Sequence, residues 1–434
     1  MRSALSFCLL ICLAIRAQEI PRSTELSGDP FFVKKSWFIG GAGNWDYLTM
    51  DAANHRLYIA HGREVQVFDP ESGSLAGEIR GFQEAHAIAL DDTGEFGYVS
   101  DGPANDVRVF NRRTFAIEAT IPLSCSPRSI AFESRNKLLF AICGANSAIP
   151  GSPPASNRRP ATGGADGSHP GTGPEQTTNP GTSHVVAIDT ETNRVLADML
   201  MAGDFRFVQP DGDGQIYISV GPVQLTSQVN GKTSPVVLPQ HIAKLDAQAI
   251  VTEVHRQLDQ RSQTASASGQ TVSMDWIHHA VPDSLVRFLS LPSACGDPQG
   301  LATDSQHQRL FAACDRQRFI VVDSGSGNLV ASFTTGPGDD VLAYDHERGL
   351  IFIANGAGYG SLTIVRQDAI TDSYAVIQNL PTQERARTLA VDSATGEVYL
   401  VTDFHGVDLT KTGGIGTLHS DPVADSFQVL VVGH

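Results

Sequence analysis

The sequence lacks the features that mark membrane-spanning, haem-binding or nucleic-acid-binding proteins. Beyond residue 17 no stretch approaches about 18 unbroken apolar residues, which excludes a membrane-spanning helix there. No Cys-x-x-Cys-His motif is present, which excludes covalent attachment of a c-type haem. The chain has only 31 Lys and Arg against 47 Asp and Glu, and this acidic balance disfavours general binding to nucleic acids. Long helical patterns are scarce, whereas 41 glycines and 23 prolines favour short strands joined by tight turns.

The N-terminal segment has the pattern of an export signal. Residues 1–17 combine an early arginine, an apolar run and the small residue Ala17 before a polar sequence begins. This pattern predicts a secretory signal peptide, so the remaining chain, 18–434, is expected in the periplasm or outside the cell. A lipoprotein signal is the alternative because Cys8 and Cys12 lie in this segment, although a large apolar residue precedes each of them.

Seven segments share one pattern, in which an apolar strand ends at an acidic residue and an aromatic residue lies in the next strand after a short turn. The acidic positions are Asp51, Asp91, Glu133, Asp211, Asp304, Asp345 and Asp392. Neighbouring copies are 40 residues apart from position 51 to 91 and 41 apart from 304 to 345. A period of about 40–45 residues with four strands per unit is typical of a β-propeller.

The motifs RLYIAHG, GYVSDG and VYLVTD resemble the repeats of the YVTN-repeat β-propeller family of exported bacterial proteins. The resemblance covers nearly the whole chain after residue 17. It implies an all-β, seven-bladed propeller of four-stranded antiparallel blades. The tail DSFQVLVVG would be the third strand of the last blade, and FFVKKSWFIGG near the N terminus would supply its fourth strand and close the ring. The family is defined by its fold, and the resemblance implies no particular reaction.

Four insertions interrupt the repeat, at residues 145–183, 221–240, 249–284 and 405–425. The first is rich in Pro, Gly, Ser and Thr, and we expect it to be disordered and dispensable for folding. In the third, Ile250, Val254 and Leu258 recur at helical spacing and predict a short amphipathic helix. The other three fall between the second and third strands of their blades, so they should lie around the mouth of the axial channel.

Four cysteines lie outside the predicted signal, and an even number in an exported chain favours disulfides. Cys125 and Cys295 each precede an innermost strand. Cys143 and Cys314 each end the strand antiparallel to it, and the separations of 18 and 19 residues match between the two blades. We therefore predict the disulfides Cys125–Cys143 and Cys295–Cys314.

One polar residue per repeat lies five positions before the acidic residue, where the innermost strand begins. These seven residues, the mouth ring, are Asp46, His86, Arg128, Arg206, Gln299, Asp340 and Arg387. Because innermost strands line the channel of a propeller, the seven side chains should converge on its mouth. Three arginines against two aspartates make the ring positive on a chain of formal charge −16, which favours a small polar or anionic ligand. The alternative is a solvated rim in which Asp and Arg satisfy one another.

Two functions are consistent with this ring. The first is binding of a small polar or anionic molecule, or of an extracytoplasmic protein, by a monomer that needs no metal or other cofactor. The second is a lactonase-like, metal-dependent hydrolase, with Asp46 and His86 as acid/base pair and Asp340 as a further metal ligand. Binding is favoured because Arg128 and Arg387 would repel a cation. A purely structural role is the third possibility, since propellers carry unrelated functions.

Overall fold

The computed structural model describes residues 29–41, 45–144, 182–229, 232–268, 283–408, 419–423 and 425–434. These residues form seven four-stranded antiparallel sheets, two separate hairpins and one long helix. The predicted signal peptide and most of the insertion predicted at 145–183 lie outside the described residues. Thr182 and Ser183, at the end of that insertion, belong to a strand, because the buried Ser183 hydroxyl bonds the backbone of Gly203 and Phe205.

After the N-terminal strand β1 (Phe32–Phe38), the first three blades follow one another along the chain. Blade one contains β2 to β5, at Trp45–Asp51, Arg56–His61, Glu64–Phe68 and Leu75–Arg80. Blade two contains β6 to β9, at Ala85–Leu90, Phe96–Asp101, Asp106–Asn111 and Ile117–Pro122. Blade three contains β10 to β13, at Ser129–Glu133, Leu138–Cys143, Thr182–Asp189 and Arg194–Ala202.

Blade four carries two of the insertions. Its elements are β14 (Asp204–Pro210), β15 (Gln215–Gly221), the hairpin β16–β17 (Val223–Val229 and Lys232–Leu238), β18 (His241–Asp246), helix α1 (Ala247–Ser268), a 3-10 turn (Asp283–Leu285) and β19 (Val286–Ser290). The predicted helix is present and begins directly after β18. Ile250 and Val254 are buried against the core between blades three and four, and Leu258 packs at its margin.

Blades five to seven complete the ring. Blade five contains β20 to β23, at Pro298–Asp304, Arg309–Cys314, Arg318–Asp323 and Leu329–Thr334. Blade six contains β24 to β27, at Asp339–Asp345, Leu350–Asn355, Ser361–Asp368 and Ser373–Pro381. Blade seven contains β28 and β29 (Leu389–Asp392 and Glu397–Thr402), the hairpin β30–β31 (His405–Asp408 and His419–Pro422) and β32 (Gln428–Gly433).

The ring closes as the sequence predicts. The sheet of blade seven has the order β1-β32-β29-β28, with Phe32 paired to Gly433 and Phe38 paired to Gln428. The N-terminal strand therefore satisfies the backbone groups along the outer edge of β32, which an open blade would leave exposed. The fold is a seven-bladed β-propeller.

The repeated acidic residues and aromatic residues are structural. The side-chain oxygens of Asp51 and Glu133 accept the backbone N–H groups of Asn54 and Asn136, at 3.0 and 2.9 Å, and so cap the turn after each innermost strand. The second strand of every blade contributes a buried aromatic side chain to the packing between sheets. These aromatics are Tyr58, Tyr98, Phe140, Tyr217, Phe311, Phe352 and Tyr399.

Both predicted cysteine pairs lie at bonding distance. The sulfur atoms of Cys125 and Cys143 are 2.06 Å apart, and those of Cys295 and Cys314 are 2.12 Å apart. Each bond ties the segment before an innermost strand to the end of its partner strand, close to the mouth ring. Both disulfides therefore restrain the same end of their blades.

Removing one disulfide should destabilise the propeller measurably. For the double variant Cys295→Ser/Cys314→Ser, a loop of this size predicts a loss of about 3 kcal/mol in the free energy of unfolding, mainly through a freer unfolded chain. Urea titration followed by circular dichroism would measure the loss. The Cys125→Ser/Cys143→Ser variant is the matched control and should lose a similar amount. A midpoint unchanged in both variants would show that neither bond forms.

Candidate functional site

The mouth ring lies where the innermost strands are irregular. In five blades the inner strand shifts register across the ring residue and the one after it, between Trp45/Leu48, Ala85/Ile88, Phe205/Val208, Pro298/Leu301 and Asp339/Leu342. In the other two blades the ring residues, Arg128 and Arg387, come just before β10 and β28. Bulges of this kind redirect side chains at the rims of closed β structures. The side chains of these ring residues therefore do not follow the regular alternation between the two faces of the sheet.

Adjacent members of the ring contact one another. Asp46 and His86, from blades one and two, form an ion pair. Asp340 Oδ2 lies 3.7 Å from Arg387 Nε, across blades six and seven. Arg206 donates a hydrogen bond of 3.3 Å to the side-chain oxygen of Gln299. The structure therefore brings together residues that lie about 40 positions or more apart in the sequence.

Arg206 already has acidic partners that the sequence pattern did not reveal. Its Nη2 atom lies 2.7 Å from Asp204 and 2.8 Å from Asp297. Burial raises the pKa of Asp297 to about 6, with Arg206 acting against this and Asp204 and Asp315 adding to it. The guanidinium of Arg206 is thus shared between two carboxylates, and it has less capacity left for a ligand than the ring pattern suggested.

Arg128 differs from the other two ring arginines. Its side chain is exposed, and its guanidinium has no ion pair or hydrogen bond within the described part of the chain. It is close enough to His86 to lower the pKa of that imidazole. A rim in which every charge is satisfied internally accounts for Asp46, His86, Asp340 and Arg387, but it does not account for Arg128.

His86 is a titratable side chain next to Arg128. Burial lowers the pKa of His86, but the carboxylate of Asp46 outweighs burial, and the net pKa lies above its usual value. Protonation of His86 would leave the Asp46–His86 pair neutral as a whole. The net positive charge of the ring between blades two and three therefore comes from Arg128.

Sequence reasoning missed a layer of residues directly below the ring. The residues that follow the ring members are Tyr47, Ala87, Ser129, Phe207, Gly300, Val341 and Thr388. Tyr47 and Phe207 are the two aromatics in this layer, and their ring centroids lie 5.9 Å apart with an interplanar angle of 43°. Blade one packs against blades two and seven, whereas blade four packs against three and five, so this contact crosses the channel. The sequence held one signal for this layer: among the residues four positions before the repeated acidic residues, only Tyr47 and Phe207 are aromatic.

The pKa of Tyr47 is affected by ring residues from four blades, which indicates that these residues lie around one point of the channel. Burial raises the pKa of its phenol well above the usual value, and the carboxylates of Asp46 and Asp340 raise it further. Arg387 and Arg128 act in the opposite direction. Charges from blades one, three, six and seven thus act on one hydroxyl group. Because of the raised pKa, this group stays a neutral hydrogen-bond donor at neutral pH.

Two of the insertions start at the ring end of their blades. Hairpin β16–β17 follows Gly221, which pairs with Asp204 in the sheet and lies against the Arg206 guanidinium. Hairpin β30–β31 begins at His405, whose Nε2 is 3.1 Å from Asp403 Oδ2. Both hairpins therefore rise from the same sheet ends as the mouth ring.

Two negative observations concern the described residues. They contain no group of three or more His, Cys, Asp or Glu side chains arranged to hold a metal ion. Over the same ranges, no helix has both the length and the apolar character needed to cross a membrane.

Comparison with known proteins places the chain by fold. It is similar to the structure of U3-55K, with a TM-score of 0.56, 8% identity, and coverage of 90% of this chain and 96% of that one. It is also similar to the crystal structure of the RRP9 WD40 repeats, with a TM-score of 0.57, 8% identity, and coverage of 91% of this chain and 96% of that one. For a chain of the mitotic checkpoint complex, the TM-score is 0.56 and the identity 9%, with coverage of 98% of this chain and 99% of that one. No family profile and no curated protein sequence matches the chain. At these identities the likeness shows a shared WD40-like propeller fold alone.

One buried acid beside the ring should make stability depend on pH. Asp339 is 4% exposed, and its Oδ2 atom accepts a hydrogen bond from Thr335, whereas Oδ1 has no partner in the described chain. Burial raises the pKa of Asp339 to about 7. In the unfolded chain this pKa falls to about 4. The protonated form is therefore favoured by folding, and its stabilising contribution is lost as pH rises from about 4 through 7.

The variant Asp339→Asn should remove this pH dependence. We expect its free energy of unfolding, relative to the original protein, to be higher at pH 8 than at pH 5 by roughly 1 kcal/mol or more, the equivalent of one pKa unit. Urea titrations at the two pH values would measure the difference. Asp92→Asn, at an exposed carboxylate, is the control and should show no such trend. An equal effect of Asp339→Asn at both pH values would contradict a raised pKa.

Proposed function

We propose that this protein is an exported propeller of the YVTN-repeat kind that binds a small organic or inorganic anion at its mouth ring. The repeat motifs and the N-terminal sequence support the family and the export. Two disulfides in one chain support an oxidising compartment. The protein would act as a monomer, with binding and not turnover as its activity.

The single observation that carries the proposal is Arg128, which is exposed and has no partner among the described residues, whereas the other charged ring residues have partners. An exposed guanidinium beside the imidazole of His86 forms a planar set of donors that suits a carboxylate or a phosphate. Arg387 is a second guanidinium of the ring, close enough to Tyr47 to lower the pKa of its hydroxyl. The strongly acidic remainder of the chain repels anions elsewhere, which favours this location for a negatively charged ligand.

The alternative is a lactonase-like hydrolase that uses the same channel. The ion pair between Asp46 and His86 favours it, since an imidazole held by a carboxylate is suited to acid–base chemistry. The described residues supply no three-ligand set for a metal, however, and Arg128 and Arg387 oppose a cation. A screen of lactones and esters separates the two functions. Turnover that is lost in Asp46→Ala would replace the binding proposal.

Loss of Arg128 should weaken anion binding. Isothermal titration with acetate, benzoate and inorganic phosphate would identify the anions that bind the full chain. For each of these we expect Arg128→Ala to raise Kd at least tenfold, because a hydrogen bond to a charged group contributes about 1.5 kcal/mol or more. Arg387→Ala should weaken binding as well, since it leaves the negative charge of Asp340 near the ligand.

The control is Arg113→Ala, at an exposed arginine in the turn after β8, on the opposite end of blade two. It keeps the same net charge as Arg128→Ala and should leave Kd unchanged. Equal affinities in the original protein and in a folded Arg128→Ala/Arg387→Ala variant would remove the mouth ring as the site.

A further inference from the structure

We infer that the anion bound at the mouth ring carries a planar, unsaturated ring, which lies on a floor made by Tyr47 and Phe207. This inference rests on the proposed function, because it specifies the ligand of the same site. It draws on a different set of residues, those in the layer below the charged ring.

The floor is formed by two aromatic side chains among small ones. In the same layer, Ala87, Ser129 and Gly300 occupy the corresponding positions of blades two, three and five. Ala87 and Ser129 are buried, and a side chain at Gly300 would meet the backbone of blade six. Tyr47 and Phe207 are therefore the largest side chains of this layer. The contact between Tyr47 and Phe207 crosses the channel. A molecule that enters from the mouth therefore meets aromatic surface directly below the charged ring.

The two rings of the floor are more exposed than the aromatic residues of the second strands. The aromatic residues of the second strands, such as Tyr58 and Phe352, are fully buried between sheets. Tyr47 and Phe207 are only half-buried although they lie in the centre of the propeller. Their exposed surface therefore faces the channel. Aromatic surface next to a polar ring favours ligands that pack a flat apolar face against it.

The charges above the floor orient such a ligand. Arg128 and His86 lie together on the side of blades two and three, so an anionic group should point toward them. Tyr47 offers a neutral hydroxyl donor within electrostatic range of both Arg128 and Arg387. A carboxylate attached directly to a planar ring can reach the donors while its ring covers the aromatic floor. Phosphate or a short aliphatic acid would use the donors alone.

The experiment compares benzoate with acetate, which share the carboxylate but differ in the ring, and with cyclohexanecarboxylate, which has a ring that is not planar. Titration calorimetry on the full chain should give benzoate an affinity at least tenfold above acetate and above cyclohexanecarboxylate. Phe207→Leu should reduce the ratio of benzoate to acetate affinity at least fivefold. The conservative variant Tyr47→Phe keeps the floor and should largely preserve this ratio.

The matched control is Phe96→Leu, at a half-buried aromatic residue at the start of β7, away from the mouth. It should leave the ratio unchanged, and urea unfolding would establish that both leucine variants are folded. Equal, Arg128-dependent affinities for benzoate and acetate would overturn this inference and leave the proposed function standing. A benzoate preference that persists in folded Phe207→Leu would also overturn it. Binding that ignores Arg128→Ala, or no binding of any of the three acids, would count against the proposed function itself.

Discussion

Pairing between β1 and β32 closes the ring, and the geometry of the mouth depends on this closure. A four-stranded blade buries its faces against two neighbours, so an open array would leave one face and one strand edge exposed to water. Closure forces seven innermost strands to approach one axis. One residue per repeat, separated from the next by about 40 positions or more, then becomes part of a single polar surface. The two disulfides restrain this same end of blades three and five.

Two sets of acidic residues in this chain have different structural roles. Those at the base of the blades, such as Asp51 and Glu133, accept backbone N–H groups and hold the turns. Those at the mouth, such as Asp46 and Asp340, contact basic side chains of the neighbouring blade. The first set recurs in every blade, because each blade needs the same turn. The second set does not recur, because the ring has different residue types at equivalent positions.

The mouth combines charged donors with an aromatic base. Most of its charges are paired, which keeps the desolvation of each one tolerable. Arg128 is the exception among the described ring residues, and it adjoins the protonatable His86. Tyr47 links the two layers, since its ring lies against Phe207 and its hydroxyl feels the charges of four blades. The proposed anion binding and the proposed aromatic recognition would therefore use one central site.

The fold, the ring closure, the cysteine pairs and the helix that begins with Ala247 could be predicted from the sequence, because each depends on a local pattern repeated at a regular spacing. The positions of the ring residues followed from the same spacing. The pair Asp46–His86 was also within reach of the sequence, but the acidic partners of Arg206 were not. Asp204 and Asp297 meet at Arg206 because a bulge in β14 and the loop before β20 bring them to one point. The contact between Tyr47 and Phe207 crosses the axis between blades that are not neighbours. Periodicity determines which residues face inward, whereas only the closed ring determines which of them meet, because that depends on distances across the channel.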